Sequence, residues 1–432
     1  MERRQFIGLS SLATLGGFSG RLLPDSARGL ELAIGKARST DARAIASDDD
    51  FWLKVRKFYV TTPNLIDLDN ANTAPTPAPV FDAFVRRGQT LRQAPAESFG
   101  KMWEDADKTS RRDLAQYLGT EPKHIALTPN TTVALNTVLH GFPLKQGDEI
   151  LVTNHEYPDM IETILQRVKR EGIIMRKVDI PRPEQDRLAL VDAVERAITP
   201  RTKLMLISQV SAWSGEVLPV REVSTVARER GVAVVVDAAQ SVGLLDVSFT
   251  EIGCDFFATS LHKWLAAPMG TGALIMRPEH VGKVWPLHPP SWDTTKYPMD
   301  IYEWTGTFNV AAYASIVDAL NFQRTLGVVR KRARVRFLGD YWQSRLSDVS
   351  GVEILTPRGR TRSVGVAAVS VAGAPAAKLV AHLRSRGILV QDKSGRHSPF
   401  RDAVRVSPGV YATTHELDRF ITVMREVARN GV

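Results

Sequence analysis

One cysteine, Cys254, stands alone in 432 residues. A single thiol excludes a disulfide framework or a cysteine-based metal site within one chain. Its place in the apolar stretch before Phe256 suits a small core filler. The nine histidines show no paired metal-ligand spacing, so no structural metal is expected. Also missing is any uninterrupted apolar run near the ~20 residues of a membrane span. The formal charge of +9 is modest for this length. No basic run is interleaved with aromatics, which leaves a solvated, mildly basic surface rather than a nucleic-acid interface. No strand-like segment is followed by Gly-x-Gly-x-x-Gly, and this argues against a dinucleotide site. What is present is 44% hydrophobic residues, enough core for two packed domains.

The chain opens Met1-Glu2-Arg3-Arg4-Gln5-Phe6-Ile7-Gly8, followed by a weakly apolar stretch from Phe6 to Gly20 that Arg21 closes. Paired arginines before a moderately hydrophobic segment resemble a twin-arginine export signal. Residues 1–46 are therefore expected to be signal and linker, and the protein periplasmic, a client of the twin-arginine machinery without stable membrane insertion. Small-residue sites at Ala42-Arg43-Ala44 and Ala44-Ile45-Ala46 lie far from the apolar stretch, so the cleavage point stays open. That route carries folded proteins, which fits a cofactor loaded in the cytoplasm.

From about residue 66 short apolar strands alternate with helical segments, the mark of an α/β fold with a mostly parallel sheet. Expected strands are Ile125–Thr128, Glu149–Thr153, Leu204–Val210, Val232–Asp237, Phe256–Thr259 and Gly272–Met276. A helix is expected over Pro219–Arg230, with Gly231 as its stop. Near residue 310 the pattern changes: a long helical stretch from Ala311 to about Leu346 precedes a strand at Val364–Val369 and a helix at Pro375–Arg386. These divide the chain into a large domain with its N-terminal segment, residues 47–310, and a small C-terminal α/β domain, residues 311–432.

The chemistry collects at strand ends. Val232-Ala233-Val234-Val235-Val236-Asp237 reads as a strand buried on both faces, so Asp237 sits at the rim where open α/β sheets bind ligands. Lys263 comes 26 positions later, behind another apolar strand. An acid and a lysine on neighbouring strand ends suit pyridoxal phosphate: the lysine forms a Schiff base with the aldehyde, and the acid keeps the pyridine nitrogen protonated. Separately, each has a plain reading as a helix cap or a solvated lysine. Asn130-Thr131-Thr132 opens a helix, where hydroxyls and free N–H groups make an anion site suited to a phosphate. His155-Glu156-Tyr157-Pro158 follows the next strand and offers an aromatic to stack on a ring. Ser211, with Gly215 close behind, follows the 204–210 strand, and Gln240 lies one helical turn beyond Asp237.

With these residues in place, Thr259-Ser260-Leu261-His262-Lys263-Trp264 and Ala267-Pro268-Met269-Gly270-Thr271-Gly272 resemble the cofactor-lysine signature of the class V aminotransferases, fold-type I pyridoxal phosphate enzymes. The resemblance runs from about Ile66 to the C-terminus. It is closest to the isopenicillin N epimerase-like branch, which shares Leu-His-Lys-Trp-Leu and Glu-Tyr-Pro. The resemblance implies a homodimer with shared active sites and these roles: Lys263 as Schiff-base lysine and general base, Asp237 as partner of the pyridine nitrogen, Gln240 at the ring hydroxyl. Thr131, Thr132, Ser260 and His262 would bind phosphate. Tyr157 would stack on the ring, with His155 as the alternative. Thr307, in Thr305-Gly306-Thr307-Phe308-Asn309, would reach the partner subunit's phosphate, and Arg405 would clamp the substrate carboxylate.

Two departures separate this chain from the cysteine desulfurases of the family. No cysteine lies between Leu389 and Val404, where desulfurases carry their nucleophile, and Ala212 stands where they place an asparagine. The expected activity is transamination or epimerisation of an amino acid or a derived metabolite. Lyase chemistry and cofactor binding without turnover are the alternatives. Twin-arginine-exported pyoverdine-tailoring enzymes resemble this layout and make siderophore tailoring a further candidate.

Overall fold

The computed structural model describes residues 35, 41–180, 188–295, 298–357, 359 and 362–432. The Arg3-Arg4 pair and the apolar segment behind it lie outside the described residues. Strand β1 (Ile66–Asp67) belongs to the small domain, as shown below. The strands that follow are β2 (Ile125–Thr128), β3 (Glu149–Thr153), β4 (Ile174–Val178), β5 (Thr202–Ser208), β6 (Ala233–Asp237), β7 (Phe256–Ser260) and β8 (Gly272–Met276). Among the described residues these seven form one sheet in the order β2-β8-β7-β6-β5-β3-β4. Neighbours from β7 to β4 pair in parallel, while β8 runs antiparallel to both β7 and β2. Hence β2 runs in the direction of β3, β5, β6 and β7, and the carboxyl ends of all five open on one edge.

The sheet forms because its strands are apolar on both faces. Val234, Val235 and Val236 are fully buried in succession, as a parallel strand covered on either side requires. Burying each such side chain is worth about 1.5–3 kcal/mol. The helix Val220–Glu229 covers one face with Val220, Val223 and Ala227, and Gly231 at φ +70° ends it, a left-handed turn that glycine adopts without a Cβ penalty. Cys254 is fully buried in the same core, and burial raises its thiol pKa far above the usual range.

The small domain is built from β9 (Val352–Ile354), β10 (Ala367–Val371), β11 (Ile388–Leu389), β12 (Gln391–Asp392) and β13 (Val404–Val406). Four of them form an antiparallel sheet, β12-β13-β10-β9, packed against the helices Val328–Leu346 and Thr414–Asn430.

The domain boundaries differ from the expected ones in two ways. The helical stretch after residue 310 breaks at Ser315 and again at Gly327, which takes φ +82°. Its first two pieces, Val310–Ala314 and Ile316–Leu326, pack into the large core, so the small domain begins near Gly327. The N-terminal segment is shared between the two. Strand β1 pairs in parallel with β11, Ile66 and Leu68 join the small domain's core, and Arg56 forks onto Glu416 with two bonds of 2.8 Å. The expected strand at 364–369 starts later, at Ala367. Gly365 holds φ +92° against the Val335 carbonyl, where a Cβ would come within 2.3 Å.

Candidate active site

The strand ends enclose a cleft of about 230 Å³, with Asp237 and Lys263 in its wall. Asp237 ends β6 and stands in register between Ser208 of β5 and Ala258 of β7. One carboxylate oxygen accepts the N–H of Ala239 at 2.8 Å; no donor is bound to the other among the described residues. Burial pushes this carboxyl above the usual range, while the Ala239 bond and the charge of Lys263 pull it back. Lys263 lies three residues past β7. Burial presses its ammonium down to about 8, against the opposing pull of Asp237 and with a further push from Arg405.

Two neighbours of this pair are locked together. Gln240 donates to the Ala71 carbonyl at 2.8 Å and accepts the indole N–H of Trp264 at 2.7 Å. One amide hydrogen remains for the cleft.

The far end of the cleft is a hydroxyl-lined helix start, the kind of place that suits an anion. The helix Thr131–Gly141 points its start into it, capped by Asn130, whose Oδ1 accepts the Val133 N–H at 2.9 Å. Ser260 Oγ accepts the Thr131 N–H at 3.0 Å and lies 2.7 Å from Thr131 Oγ1. Thr132 and His262 line the same end. His262 Nδ1 lies 3.1 Å from the Thr271 carbonyl; a carbonyl can only accept, so Nδ1 carries a proton and Nε2 is left free for a ligand. Burial and the Lys263 charge lower this imidazole's pKa. Gly272 sits where a Cβ would be 2.6 Å from Asn130 Cα, so only glycine lets β8 approach the start of this helix.

The remaining expected residues divide. Tyr157 lines the cleft, and burial raises its phenol pKa. His155 does not: it is buried behind, with Nδ1 3.3 Å from Ser211 Oγ and its ring 5.7 Å from Phe400. Ser211 also stands back, its hydroxyl holding the N–H groups of Trp213 and Ser214. Of the two, Tyr157 alone lines the cleft. Thr307 is exposed and off this chain's cleft. Arg405 is buried on β13, bound to Asp69 at 2.9 Å, Gln391 at 3.2 Å and the Ala212 carbonyl at 2.9 Å. Among the described residues its Nε has no partner. Asp402, the acid beside it in sequence, caps Ala376 instead.

Sequence reasoning missed several residues here. Asn72 and Thr73 line the cleft, carried in by a two-residue strand too short to read as one. Glu156 is buried beneath the floor, its carboxylate bonded by Thr153 at 2.5 Å and Ser208 at 2.6 Å. Burial, aided by Asp237, pushes its carboxyl to about 7. Asp255, Glu279 and His280 bring ligand-type atoms within 4.8 Å elsewhere on the large domain, but Asp255 already holds the Val234 N–H and faces Arg228.

The cleft fits pyridoxal phosphate on its donor set: a lysine amine, a buried carboxylate with an uncommitted oxygen, and a hydroxyl-lined helix start. A larger cleft of about 520 Å³ between β10 and residues 399–402 has no lysine in its lining.

The family described as Aminotransferase class-V matches residues 66–420. The isopenicillin N epimerase of Amycolatopsis lactamdurans is 30% identical over 88% of this chain and 99% of its own length. That of Streptomyces clavuligerus is 29% identical over 85% and 96%. A probable cysteine desulfurase of Xylella fastidiosa is also 29% identical, over 84% and 91%. Among solved structures, a variant of C-DES with glycine covalently linked to its pyridoxal phosphate superposes with a TM-score of 0.76 at 22% identity, over 86% of this chain and 99% of that one.

Proposed function

Because the chain belongs to the class-V aminotransferase family, pyridoxal phosphate-dependent enzymes of fold type I, we propose that it acts on the amino group of an amino acid or amino-acid-derived metabolite, by transamination or epimerisation. The observation that carries this reading is Lys263 and Asp237 facing one cleft that ends in an anion site. When bound, the cofactor supplies an electron sink for the bond broken at the substrate Cα.

The chain's own residues do the rest. Lys263 would hold the cofactor through its amine and, once the substrate's amine has replaced it, would take the Cα proton at Nζ. Its pKa of about 8 leaves a working fraction of neutral amine near neutral pH, as a general base needs. The free oxygen of Asp237 would hold the proton on the cofactor's ring nitrogen. Thr131, Ser260, His262 and the helix start would anchor the phosphate, Gln240 would meet the ring hydroxyl, and Tyr157 would cover one face and keep water out. Arg405 would draw the α-carboxylate by the charge of its guanidinium, which is held beside the cleft by the Ala212 carbonyl. The one thiol, Cys254, is buried in the core, which supports a reading without a persulfide-forming step. We further propose a homodimer in which Thr307 reaches the partner's site, and export through the Arg3-Arg4 segment for work on a secreted or envelope metabolite, a siderophore included.

The test is to offer purified holoenzyme a panel of amino acids and amines while following the cofactor's absorption, oxo-acid release and deuterium uptake at Cα. Oxo-acid formation marks transamination, and deuterium uptake with inversion marks epimerisation. Release of a β-substituent would turn the reading to lyase chemistry. A cofactor spectrum unmoved by every amino compound would leave a binding protein without turnover.

A further inference from the structure

Lys393 lies just beyond β12, and the ladder fixes where its side chain goes. Gln391 stands opposite Arg405 in the β12–β13 pair, and its Oε1 accepts from Arg405 at 3.2 Å, so these two side chains share a face. The pairing continues one step, with the Lys393 N–H donating to the Ala403 carbonyl at 2.8 Å. Alternation along a strand then puts Lys393, two residues past Gln391, on the face of Arg405. Asp392 points the other way and is occupied, accepting from the Ser394 N–H and hydroxyl at 2.7 and 2.6 Å. The Lys393 backbone is held from the far side too, by Ser398 Oγ on its carbonyl at 2.7 Å.

Its ammonium ends 5.5 Å from the centroid of the Trp213 ring. Trp213 follows Ala212, which lines the cleft and whose carbonyl holds Arg405. Burial, together with the charges of Arg405 and Lys263, presses the Lys393 amine down to about 7, against Asp69 and Asp392. Three cations thus converge beside the cleft, and the nearby acids are committed. Asp69 is bound to Arg405, Asp392 to Ser394 and Asp237 to Ala239, the other Asp237 oxygen being the one the proposed function gives to the ring nitrogen. Among the described residues the half-buried Lys393 ammonium has no ion pair or hydrogen bond. A cation drawn out of water without an acid is stabilised when an anion arrives from outside. Under the proposed function Arg405 takes one substrate carboxylate and the helix start the cofactor phosphate, which leaves Lys393 facing the Trp213 ring and no anion.

We propose that Lys393 is a specificity-determining residue and that the substrate carries a second acidic group, a carboxylate beyond the one at Cα, which Lys393 meets. The proposal rests on the reading of the cleft as an amino-acid site and narrows it to acidic amino compounds.

The test uses holoenzyme and chain-matched pairs that differ only by a distal carboxylate in place of a methyl: L-aspartate against L-2-aminobutyrate, and L-glutamate against L-norvaline. Dissociation constants come from calorimetry and from titration of the cofactor's absorption. Wild-type protein should favour one acidic member over its neutral match by about 10- to 100-fold, the range of a charge-assisted contact. Lys393→Met should abolish that preference by weakening the acidic ligand alone, and Lys393→Arg should keep most of it. An unchanged melting temperature in Lys393→Met separates this effect from a folding defect. Equal wild-type affinity within both pairs, or a Lys393→Met loss shared by acidic and neutral ligands, would overturn the proposal and leave the amino-acid reading standing. No response to any of the four would overturn that reading, and this proposal with it.

Discussion

Trp264 donates its indole N–H to the side-chain oxygen of Gln240 at 2.7 Å. The residue after Lys263 thereby fixes the residue one turn beyond Asp237. Since Gln240 also donates to the Ala71 carbonyl, its amide cannot flip, and its remaining hydrogen is presented in one direction. The two halves of the site, on β6 and β7, are coupled through this bond.

Removing it should loosen the cofactor. Trp264→Phe deletes one neutral hydrogen bond, worth about 0.5–1.5 kcal/mol, and should raise the cofactor's dissociation constant about 2- to 10-fold. Spectral titration of the apoprotein measures this. In a Gln240→Ala background the same substitution should add nothing to the cofactor effect. An undiminished effect there would show that Trp264 acts through packing instead.

Lys263 should govern both adduct and pH profile. Borohydride should fix the cofactor to Lys263, and mass spectrometry locating the adduct on another lysine would sink the assignment. Only the neutral amine accepts a proton, so turnover should climb with pH, about tenfold per unit below the folded value, and level off above pH about 8. Lys263→Ala should keep loose cofactor binding and lose turnover.

Arg405 carries two loads. Arg405→Ala leaves Asp69 buried without its partner, which should cost about 3–5 kcal/mol of stability, read as a lowered Tm. If Arg405 also clamps the substrate, KM for an α-amino acid should rise roughly 30- to 1000-fold, with a much smaller change for the matched amine. Arg405→Lys should restore only part, because an ammonium lacks the planar fork. Equal losses on amine and amino acid would leave Arg405 a buttress between β13 and the N-terminal segment.

Export can be examined without the enzyme's chemistry. Replacing Arg3 and Arg4 with lysine should strand a folded, cofactor-loaded protein in the cytoplasm. Periplasmic recovery equal to wild type would assign export to another route.

Much of the large domain was legible because its strands are self-declaring. Val232 to Asp237 and Phe256 to Ser260 are apolar runs that can only be buried, and a parallel sheet sends their carboxyl ends to one edge. That logic alone brought Asp237, Gln240, Thr131, Tyr157 and Lys263 to a single rim. No helix among the described residues is long and apolar enough to cross a membrane, in keeping with the lack of long apolar runs.

What local pattern did not carry was pairing across the chain. Strand β1 has two residues and no periodicity; it exists because β11, more than 300 positions later, supplies its hydrogen bonds, and it delivers Asn72, Thr73 and Asp69. Tyr157 lines the cleft and His155 does not, because His155 found a buried partner in Ser211. The partner of Arg405 is Asp69 rather than nearby Asp402, and Lys393 shares the face of Arg405 only through the β12–β13 register. Burial and periodicity are properties of a short window of sequence, so sequence determined the sheet and its rim. Hydrogen-bond partners are chosen among groups that folding brings together, so the tertiary structure alone decided which of the candidate side chains face the cleft.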